Sequence, residues 1–475
     1  MVEYENYWRQ TEPVEPGPPL DGDIRCDVCV VGAGYTGLWS AHFLAEAAPG
    51  TDIHVLDAGY AGAGASGLNG GFVQMTGGKV LRRLLWYYGR EKAAGVYRAV
   101  ARSSLEIGRF CRQYGVDAHF ENNGFLQVAT DAKGLARLQL QLERADRAGM
   151  RGVFNLLDAA AARERIGSPS VAGAMRTSGA LVNPHRLARG LARVVREQGV
   201  RIHEQSPVTE VVKEGGTFVV RTPRGTVRAE QVVLATEAWQ SGFPELFAKQ
   251  MPVWNYLMVS EPLDDATLDR VAWPGREGVV TLRSLGHAAR LTPDRRVLWA
   301  GGPWFYFGDR RTAAGPVDHA EAYHGLRAAF DEFFPAWRGV EFTHAYGGPI
   351  SWSHSFIPQF GRTPTGLVYG HGYTGSGIAA SHTGGKIIRD IVLGRTTEYT
   401  ELAFVTVNQP KFLPGWFGDR GVEFFLWRQR VGDRLPLLLP HRAALSPGRF
   451  FGQRAARRNR VSRPDRAAAG GSRRA

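Results

Sequence analysis

A glycine pattern close to the amino terminus constrains the fold of this chain more than any other feature. Gly32, Gly34 and Gly37 have the GxGxxG spacing. They follow the apolar run 26–31, which predicts a strand, and precede the run 35–48, whose spacing predicts a helix. In this context the glycines allow a tight turn, close approach of a pyrophosphate and close helix–strand packing. The pattern therefore predicts a dinucleotide site at the helix amino terminus.

An acidic residue lies at the end of the second predicted strand, where a dinucleotide-binding unit places the residue that binds the ribose. Asp57 ends the next predicted strand, 52–57, and lies 20 residues after Gly37. An acid at this place accepts hydrogen bonds from the adenosine ribose hydroxyls. GxGxxG alone is a weak signal, but the strand–helix–strand context and the acid strengthen it. The predicted contacts of this first unit are Gly32, Gly34, Tyr35, Thr36, Gly37, Asp57 and Ala58.

Two further glycine-rich segments favour FAD over NAD. Segment 61–71 directly follows the predicted ribose-binding strand, and segment 370–377 again joins an apolar strand to a helix. Glycine loses much entropy on ordering, so such segments are expected where backbone lies flat against a ligand. The second helix amino terminus also suits the negative charge of a reduced flavin. The remaining predicted cofactor contacts are Gly64, Ala65, Ser66, Asn69, Gly70, Gly71, Val208, Thr236, Gly372, Tyr373, Thr374, Gly375, Ser376 and Gly377.

The order of the predicted elements indicates two interwoven domains. Elements of a nucleotide-binding sheet occur near residue 30, at 200–236 and near residue 370, whereas 252–299 alternates like an antiparallel sheet. We expect a Pro-rich extended arm at 1–24, an FAD domain at 25–80, 150–245 and 340–395, a substrate domain at 81–149 and 246–339, a carboxyl-terminal extension at 396–440 and a basic tail at 441–475.

The net charge of +13 is concentrated at the carboxyl-terminal end. Residues 441–475 contain ten Arg and one Asp, which is 10 − 1 = +9 of the +13. This stretch lacks apolar periodicity and is predicted to be disordered. We expect no specific nucleic-acid partner, although such a tail is able to bind anionic surfaces. Because no long apolar run or basic leader is found, we also predict a cytoplasmic protein without a transmembrane helix.

The cysteines and histidines predict no metal or disulfide. Cys26 and Cys29 match CxxC, but they lie in a predicted strand, where residues three apart point to opposite faces. The 13 histidines show no ligand spacing typical of zinc.

Together these segments resemble the FAD-dependent oxidoreductases of the D-amino-acid oxidase/glycine oxidase superfamily. Within it, segments 7–8, 19–23 and 347–350 and the extension past Gly394 are most similar to the γ-glutamylputrescine oxidoreductase and aminophosphonate oxidoreductase branches. The resemblance implies an α/β fold, in which a Rossmann-like FAD domain of the glutathione-reductase type is interwoven with an antiparallel substrate domain. It also implies that a small amine is oxidised to an imine, which is hydrolysed to a carbonyl. Dioxygen or another acceptor then reoxidises a non-covalently held FAD.

Departures from the family pattern bear on the substrate and the acceptor. At the position of Ala379, sarcosine-oxidase-type members carry a Lys that binds the substrate carboxylate. They also carry an Arg within the segment that corresponds to Phe72-Val73-Gln74-Met75 of this chain, which contains no Arg. Near flavin N5 they carry a Lys that promotes reaction with oxygen, and Arg290 takes its place here. We therefore expect a substrate other than an ordinary α-amino acid. A D-amino-acid-type dehydrogenase with a non-oxygen acceptor and an NAD-linked dehydrogenase on the same fold remain alternatives.

The candidate catalytic residues lie in two places. His371 and Tyr373 belong to the second glycine-rich turn, and Arg290 and His287 belong to a predicted strand of the substrate domain. Histidine is suited to proton transfer and arginine to a fixed positive charge. Aromatic faces attract cations, so one interpretation of Trp304, Tyr306, Tyr346 and Trp352 is that they line an amine pocket, whereas packing in the core explains any single one of them better. The sequence predicts no particular oligomeric state.

Overall fold

The structure is a computed structural model. It describes residues 2–74, 78–239, 242–243, 246, 248–308, 315–407 and 409–434. The predicted basic tail 441–475 lies outside the described residues. Residues up to Asp433 belong to one unit of dense internal contacts.

The strands and helices follow one another without internal repetition. The strands are β1 Ile24–Val31, β2 Ile53–Leu56, β3 Phe72–Gln74, β4 Phe125–Ala129, β5 Phe154–Leu157, β6 Gly173–Thr177, β7 Gly179–Leu181, β8 Arg201–His203, β9 Glu210–Glu214, β10 Thr217–Thr222, β11 Gly225–Leu234, β12 Gln250–Ser260, β13 Gly278–Thr281, β14 His287–Leu291, β15 Val297–Gly301, β16 Phe342–Ser353, β17 Gln359–Arg362 and β18 Val368–His371. The helices are α1 Tyr7–Gln10, α2 Tyr35–Ala47, α3 Ala65–Leu68, α4 Gly78–Gln113, α5 Ala132–Arg147, α6 Ala159–Arg165, α7 Pro184–Glu197, α8 Asp265–Leu268, α9 Ala320–Phe333, α10 Gly377–Val392, α11 Ala403–Thr406 and α12 Gly415–Arg434.

The first glycine pattern belongs to a sheet with a parallel centre. Its strands run in the order β17-β18-β11-β1-β2-β8. Successive strands from β18 to β8 are parallel, whereas β17 is antiparallel to β18. Helices α2, α7 and α10 pack on one face, where Val30, Leu38 and Leu191 share one core. The other face packs against the β9–β10 hairpin. Continuous apolar runs such as Cys29–Val31 suit strands that are buried on both faces.

The second sheet is mostly antiparallel. Its order is β16-β12-β15-β14-β13-β4-β6-β5, and β13 and β4 form its parallel pair. Helix α9 covers one face, where Trp299 packs edge-on to Phe330. Because the chain contributes to this sheet from two stretches, 125–177 and 250–353, with strands β8 to β11 of the first sheet between them, the two sheets are interwoven. This confirms the predicted fold class.

The sheet topology differs from the predicted domain map in two stretches. Residues 150–245 and 340–395 were expected to belong to the FAD domain, but β5, β6 and β16 are strands of the second sheet. The apolar pattern identifies a strand and leaves open which partner strand completes its hydrogen bonds. Only the pairing of β16 with β12 and of β6 with β4 and β5 decides it.

The amino-terminal arm differs from the extended segment that the sequence predicts. Helix α1 begins after Asn6, whose side chain accepts a hydrogen bond from the Trp8 backbone N–H. Tyr7 and Trp8 are buried and share a core with Leu257 and Tyr346. The prolines of the arm suggest extension, but burial of this aromatic pair against the second sheet fixes a helical turn.

None of the helices within the described residues combines the length and the apolar character that crossing a bilayer requires.

Candidate active site

The GxGxxG turn has the geometry that its glycines predict. Gly32 has a φ of 105°, and a Cβ there would lie 2.6 Å from the Ala235 carbonyl oxygen. A Cβ on Gly37 would lie 1.9 Å from the Gly32 carbonyl oxygen, so α2 packs too closely for any side chain at this position. The turn is therefore tight, and the amino terminus of α2 lies over the end of β1.

Asp57 ties this turn to the following loop. Its carboxylate accepts hydrogen bonds from the backbone N–H of Ala33 at 2.7 Å and of Gly59 at 2.8 Å. Burial raises the pKa of Asp57, and the two N–H donors oppose that shift. Asp57 therefore lies at the carboxyl end of β2, as predicted for a ribose-binding acid, and it also orders the glycine turn.

The glycine-rich block 64–71 folds back onto the first turn. The Ser66 hydroxyl oxygen accepts a hydrogen bond from the Tyr35 backbone N–H at 2.8 Å. Asn69 donates to the carbonyl oxygens of Ala65 and Ser66 and accepts from the Gly71 N–H at 2.8 Å. These bonds hold the block as a defined loop, which the composition alone does not guarantee.

Helix α1 covers this block from outside. The Trp8 indole N–H donates to the Asn69 carbonyl oxygen at 2.8 Å, and the Asn6 amide donates to that of Gly67 at 3.0 Å. The arm therefore has a structural role at the site, which the sequence did not predict.

The second glycine-rich turn meets the first through two hydroxyl groups. The Tyr373 hydroxyl lies 2.6 Å from Thr36 Oγ1, and burial raises the pKa of Tyr373. Gly372 and Gly375 have φ values of 84° and 78°. The Thr374 backbone N–H donates to the Ser351 carbonyl oxygen at 2.9 Å, which links the turn to β16 of the second sheet.

Glu237 is a site residue that the sequence reasoning missed. Its carboxylate accepts hydrogen bonds from the backbone N–H of Gly372 at 3.1 Å and of Ser351 at 3.3 Å. Its φ is 47°, a left-handed conformation unusual for a residue with a Cβ. Burial raises the pKa of Glu237 to about 8. An acid directly after the apolar strand 231–236 was the signal, because the carboxyl ends of parallel strands face a bound dinucleotide.

Arg290 reaches the glycine-rich block from the second sheet. The side chain is fully buried, and Nη1 donates to the Val182 carbonyl oxygen at 2.5 Å and to that of Gly71 at 3.4 Å. Its guanidinium lies 5.5 Å from the centre of the Trp8 ring. Burial lowers the pKa of Arg290 to about 10, so it carries its charge at neutral pH. Nε and Nη2 have no hydrogen-bond partner in the described part of the chain.

His287 lies away from Arg290 and the glycine-rich block. It begins β14, and residues 287 and 290 lie on opposite faces of that strand. The His287 ring stacks on Trp299 at 5.0 Å between centroids, inside the core beneath α9. Its proximity in sequence to Arg290 therefore does not become proximity in space.

His371 is also separated from Tyr373. Its ring lies 5.3 Å from that of Tyr369, which belongs to the core on the hairpin face of the first sheet. The Tyr373 hydroxyl instead contacts Thr36 on the helix face. Burial lowers the pKa of His371 to about 3, with a smaller effect of Lys249, so the ring is neutral. Neither ring nitrogen has a partner among the described residues.

The other predicted cofactor residues lie as follows. Val208 packs at the edge of the hairpin-face core. Thr236 lies next to Gly32, and its buried Oγ1 has no partner in the described ranges. Ala58 follows β2, Gly64 and Ala65 begin α3, Gly70 precedes β3, and Ser376 and Gly377 begin α10.

The predicted amine-pocket aromatics fall into two clusters. Trp304, Tyr306 and Trp352 pack together with residues of α12. Tyr346 packs with Trp8 and its neighbours at the arm. The buried Tyr346 hydroxyl and Trp352 indole N–H lack partners among residues that the structure describes.

The site fits an extended dinucleotide such as FAD. Gly32 and Gly37 leave no room for side chains, and a Cβ on Gly34 would lie 3.0 Å from Ser66 Oγ. The buried Thr236 hydroxyl beside Gly32 and the Arg290 guanidinium beside Gly71 offer polar atoms that have no partner among the described residues. Two helix amino termini, of α2 and α10, supply positive potential for phosphates.

Fold and site together define a dinucleotide-binding enzyme of the flavoprotein class. The chain belongs to the DAO family of FAD-dependent oxidoreductases, whose sequence profile matches residues 27–391. FAD is therefore its cofactor, which sets aside the NAD-linked alternative.

Three relatives illustrate the similarity. γ-Glutamylputrescine oxidoreductase of Escherichia coli (strain K12) is 32% identical over 427 residues, covering 88% of this chain and 96% of that protein. A glycine oxidase of Pseudomonas aeruginosa is 26% identical over 78% of this chain and 95% of its own length. In fold, the crystal structure of glycine oxidase from Geobacillus kaustophilus has a TM-score of 0.66 at 20% identity, covering 81% of this chain and 99% of that one.

Proposed function

We propose that this protein oxidises the C–N bond of a small amine. The observation that carries the proposal is the 32% identity to γ-glutamylputrescine oxidoreductase, which extends over 96% of that relative. In the proposed reaction the substrate carbon loses a hydride, the nitrogen loses a proton, and an imine C=N bond forms. Water then adds to the imine and releases a carbonyl compound and an amine. FAD, when bound, accepts the hydride.

The chain's own residues hold the reacting groups and their charges. Arg290 would place a fixed positive charge at the Gly70–Gly71 edge of the site, where it already contacts Gly71. The amino terminus of α10 stabilises negative charge next to Tyr373. The Thr36–Tyr373 contact holds the two glycine turns against one ligand. We assign no proton-transfer role to His287, because it lies on the opposite face of β14.

Two basic residues of the sarcosine-oxidase-type members are replaced in this chain, and these replacements bear on the substrate class. Where sarcosine-oxidase-type members have a carboxylate-binding Lys, this chain has Ala379, which is buried in α10. In place of the corresponding Arg, β3 reads Phe72-Val73-Gln74. An α-carboxylate at these two points would therefore find no charged partner. We therefore propose a substrate amine that is not held through an α-carboxylate. We also propose that FAD is held non-covalently.

Arg290 also bears on the acceptor. In the sarcosine-oxidase-type members, a Lys promotes the reaction with oxygen. The ammonium group of Lys is compact, whereas the guanidinium group of Arg is planar and disperses its charge. The proposal includes reoxidation of the flavin either by dioxygen or by another acceptor. A dehydrogenase with a non-oxygen acceptor is the second candidate, because Arg290 stands in this place.

An anaerobic substrate screen tests the proposal. Purified FAD-loaded protein is mixed with monoamines, polyamines, aminophosphonates, amino sugars and α-amino acids, and flavin absorbance is followed. Bleaching by an amine without an α-carboxylate supports it, and recovery of absorbance in air then identifies an oxidase. Bleaching by α-amino acids alone would overturn the substrate class. Protein that cannot be reconstituted with FAD would overturn the function itself.

A further inference from the structure

A groove at the β17 edge of the first sheet is bordered by basic side chains. Its volume is about 690 Å³, and residues 359–364 form one of its sides. Lys249, Arg362 and Lys411 also line it, whereas no Asp or Glu is found among its described lining residues. A volume of this size accommodates a small organic molecule. The groove therefore combines room for a ligand with a surplus of positive charge. We call it the basic groove.

One backbone hydrogen bond brings Lys249 and Lys411 close together. The Phe412 N–H donates to the Ala248 carbonyl oxygen at 2.7 Å, and the two lysines are the chain neighbours of this bonded pair. Phe412 is buried, which fixes its segment on the protein. The half-buried Lys249 ammonium lies 5.5 Å from the centre of the Tyr369 ring, so it is held at the groove by a cation–π contact.

No carboxylate neutralises these ammonium groups within the described part of the chain. Burial lowers the pKa of Lys249, and the positive charge of Lys411 lowers it further. Lys92 brings a third ammonium, which donates to the hydroxyl of the groove residue Thr406 at 3.2 Å. Arg362 donates to uncharged amide and carbonyl oxygens. An anion placed between such groups would relieve their mutual repulsion.

A buried amide in the basic groove lacks a partner on its oxygen. Gln359 is 3% exposed, and its Nε2 donates to the Val407 carbonyl oxygen at 3.0 Å. Its Oε1 has no hydrogen-bond partner among the described residues. Because an amide oxygen only accepts hydrogen bonds, a hydroxyl group of a ligand would satisfy it.

We propose that the basic groove binds a small dianion that also carries a hydroxyl group, such as a phosphate ester or a hydroxy-dicarboxylate. Lys249 and Lys411 hold the negative charges through charge-assisted hydrogen bonds, and Gln359 Oε1 accepts from the hydroxyl group. The groove lies outside the two glycine turns, so this inference does not rest on the proposed function.

A small ligand fits the basic groove better than an acidic peptide. A peptide that adds a strand to a sheet needs an open strand edge. Segment 403–407 covers the outer edge of β17, because Val407 accepts from the Gln359 amide and the Phe404 ring lies 6.0 Å from the Phe360 ring. The charged wall of the groove remains accessible, since Lys411 is exposed.

Calorimetric titration of the full, FAD-loaded chain tests the proposal, since bound FAD occupies the dinucleotide site. The probes are glucose 6-phosphate and malate, and acetate at equal ionic strength is the monovalent comparison. We expect one dianion to bind per chain, binding to weaken with salt, and the unfolding midpoint to rise with ligand. Tighter binding of glucose 6-phosphate identifies a phosphate ester as the ligand, and tighter binding of malate identifies a dicarboxylate.

Single substitutions locate the bound anion. Lys411→Met and Lys249→Met should each weaken binding by about tenfold or more, because a hydrogen bond to a charged group is lost. Lys411→Arg keeps the charge and should keep most of the affinity. Lys133→Met is the matched control, because the Lys133 ammonium donates to the Gly432 carbonyl oxygen away from the groove, and binding should be unchanged. FAD absorbance and the unfolding midpoint without ligand establish that each variant is folded.

Three results would overturn the proposal. These are no binding of either dianion, binding by Lys249→Met and Lys411→Met that equals that of the wild type, and binding of acetate as tight as that of malate.

Discussion

The hydroxyl groups of Thr36 and Tyr373 lie 2.6 Å apart, although 337 positions separate them in sequence. Thr36 belongs to the first turn of α2, and Tyr373 belongs to the glycine-rich turn that precedes α10. One hydrogen bond therefore joins the two helix amino termini that are expected to face the pyrophosphate and the flavin of the cofactor. Both side chains are buried, so a hydroxyl group that lost its partner would have no water to bond to instead.

Removing this hydrogen bond should weaken both the fold and cofactor binding. Tyr373→Phe leaves the buried Thr36 hydroxyl without its partner, which costs about 1–3 kcal/mol. Thr36→Val alone should have a similar effect, and the double variant should lose less than the sum. Urea unfolding and FAD titration of the four proteins measure the coupling. Strict additivity would show that the two hydroxyls act independently.

Gly37→Ala should prevent formation of the first turn. The new Cβ would lie 1.9 Å from the Gly32 carbonyl oxygen, which is backbone and cannot move aside cheaply. We expect a loss of at least about 1–3 kcal/mol of unfolding free energy and poor FAD retention. Gly325→Ala is the control, because nothing lies within 4 Å of its Cβ position in α9, and it should be neutral or stabilising. Normal FAD affinity in Gly37→Ala would contradict the close packing.

Arg290→Met should slow flavin reduction by substrate or its reoxidation by about tenfold or more, because a buried charge beside Gly71 is removed. Arg290→Lys restores a positive charge and should recover part of the rate. Stopped-flow absorbance, anaerobic and then with oxygen, separates the two half-reactions. His287→Asn is the comparison, because His287 packs on Trp299 and should change stability without changing either rate. A rate loss in His287→Asn matching that in Arg290→Met would argue against the assigned faces of β14.

Because of Glu237, the free energy of unfolding should fall as pH rises. Burial raises the pKa of the folded-state carboxyl from 4.5 to about 8. Its contribution is therefore fully present below about pH 4.5 and is lost as pH rises through about 8, with a slope of at most about 1.4 kcal/mol per pH unit. Glu237→Gln removes this dependence.

The difference between wild type and Glu237→Gln isolates the carboxyl, since titration of other groups such as His371 is common to both. Unfolding free energy is compared across that pH window. A constant difference at every pH would show that folding does not raise the pKa of Glu237.

Local patterns were enough to predict the first turn. Glycine spacing, an apolar strand before it and an acid after it act over neighbouring residues, so Gly32, Gly37 and Asp57 lie as expected. Helix limits also followed from local spacing, as for α2, predicted at 35–48 and found at Tyr35–Ala47. Glu237 was missed because its significance depends on backbone N–H groups of β16 and the second glycine turn, which are far away in sequence.

Strand direction explains why His287 lies apart from Arg290 and His371 apart from Tyr373. Alternation along a strand states which residues share a face, but not which face meets the cofactor. That choice depends on the partner elements: α9 covers the His287 face of the second sheet, and the β9–β10 hairpin covers the His371 face of the first.

By itself, the sequence determined the dinucleotide turn, the acid that follows it and the alternation of two kinds of sheet, because these depend on backbone geometry and local burial. The tertiary structure decided that β5, β6 and β16 complete the second sheet and that Arg290 meets Gly71 while His287 does not. It also decided that Thr36 and Tyr373 share a hydrogen bond. These outcomes depend on which distant surfaces bury one another, and no pattern of neighbouring residues encodes that pairing.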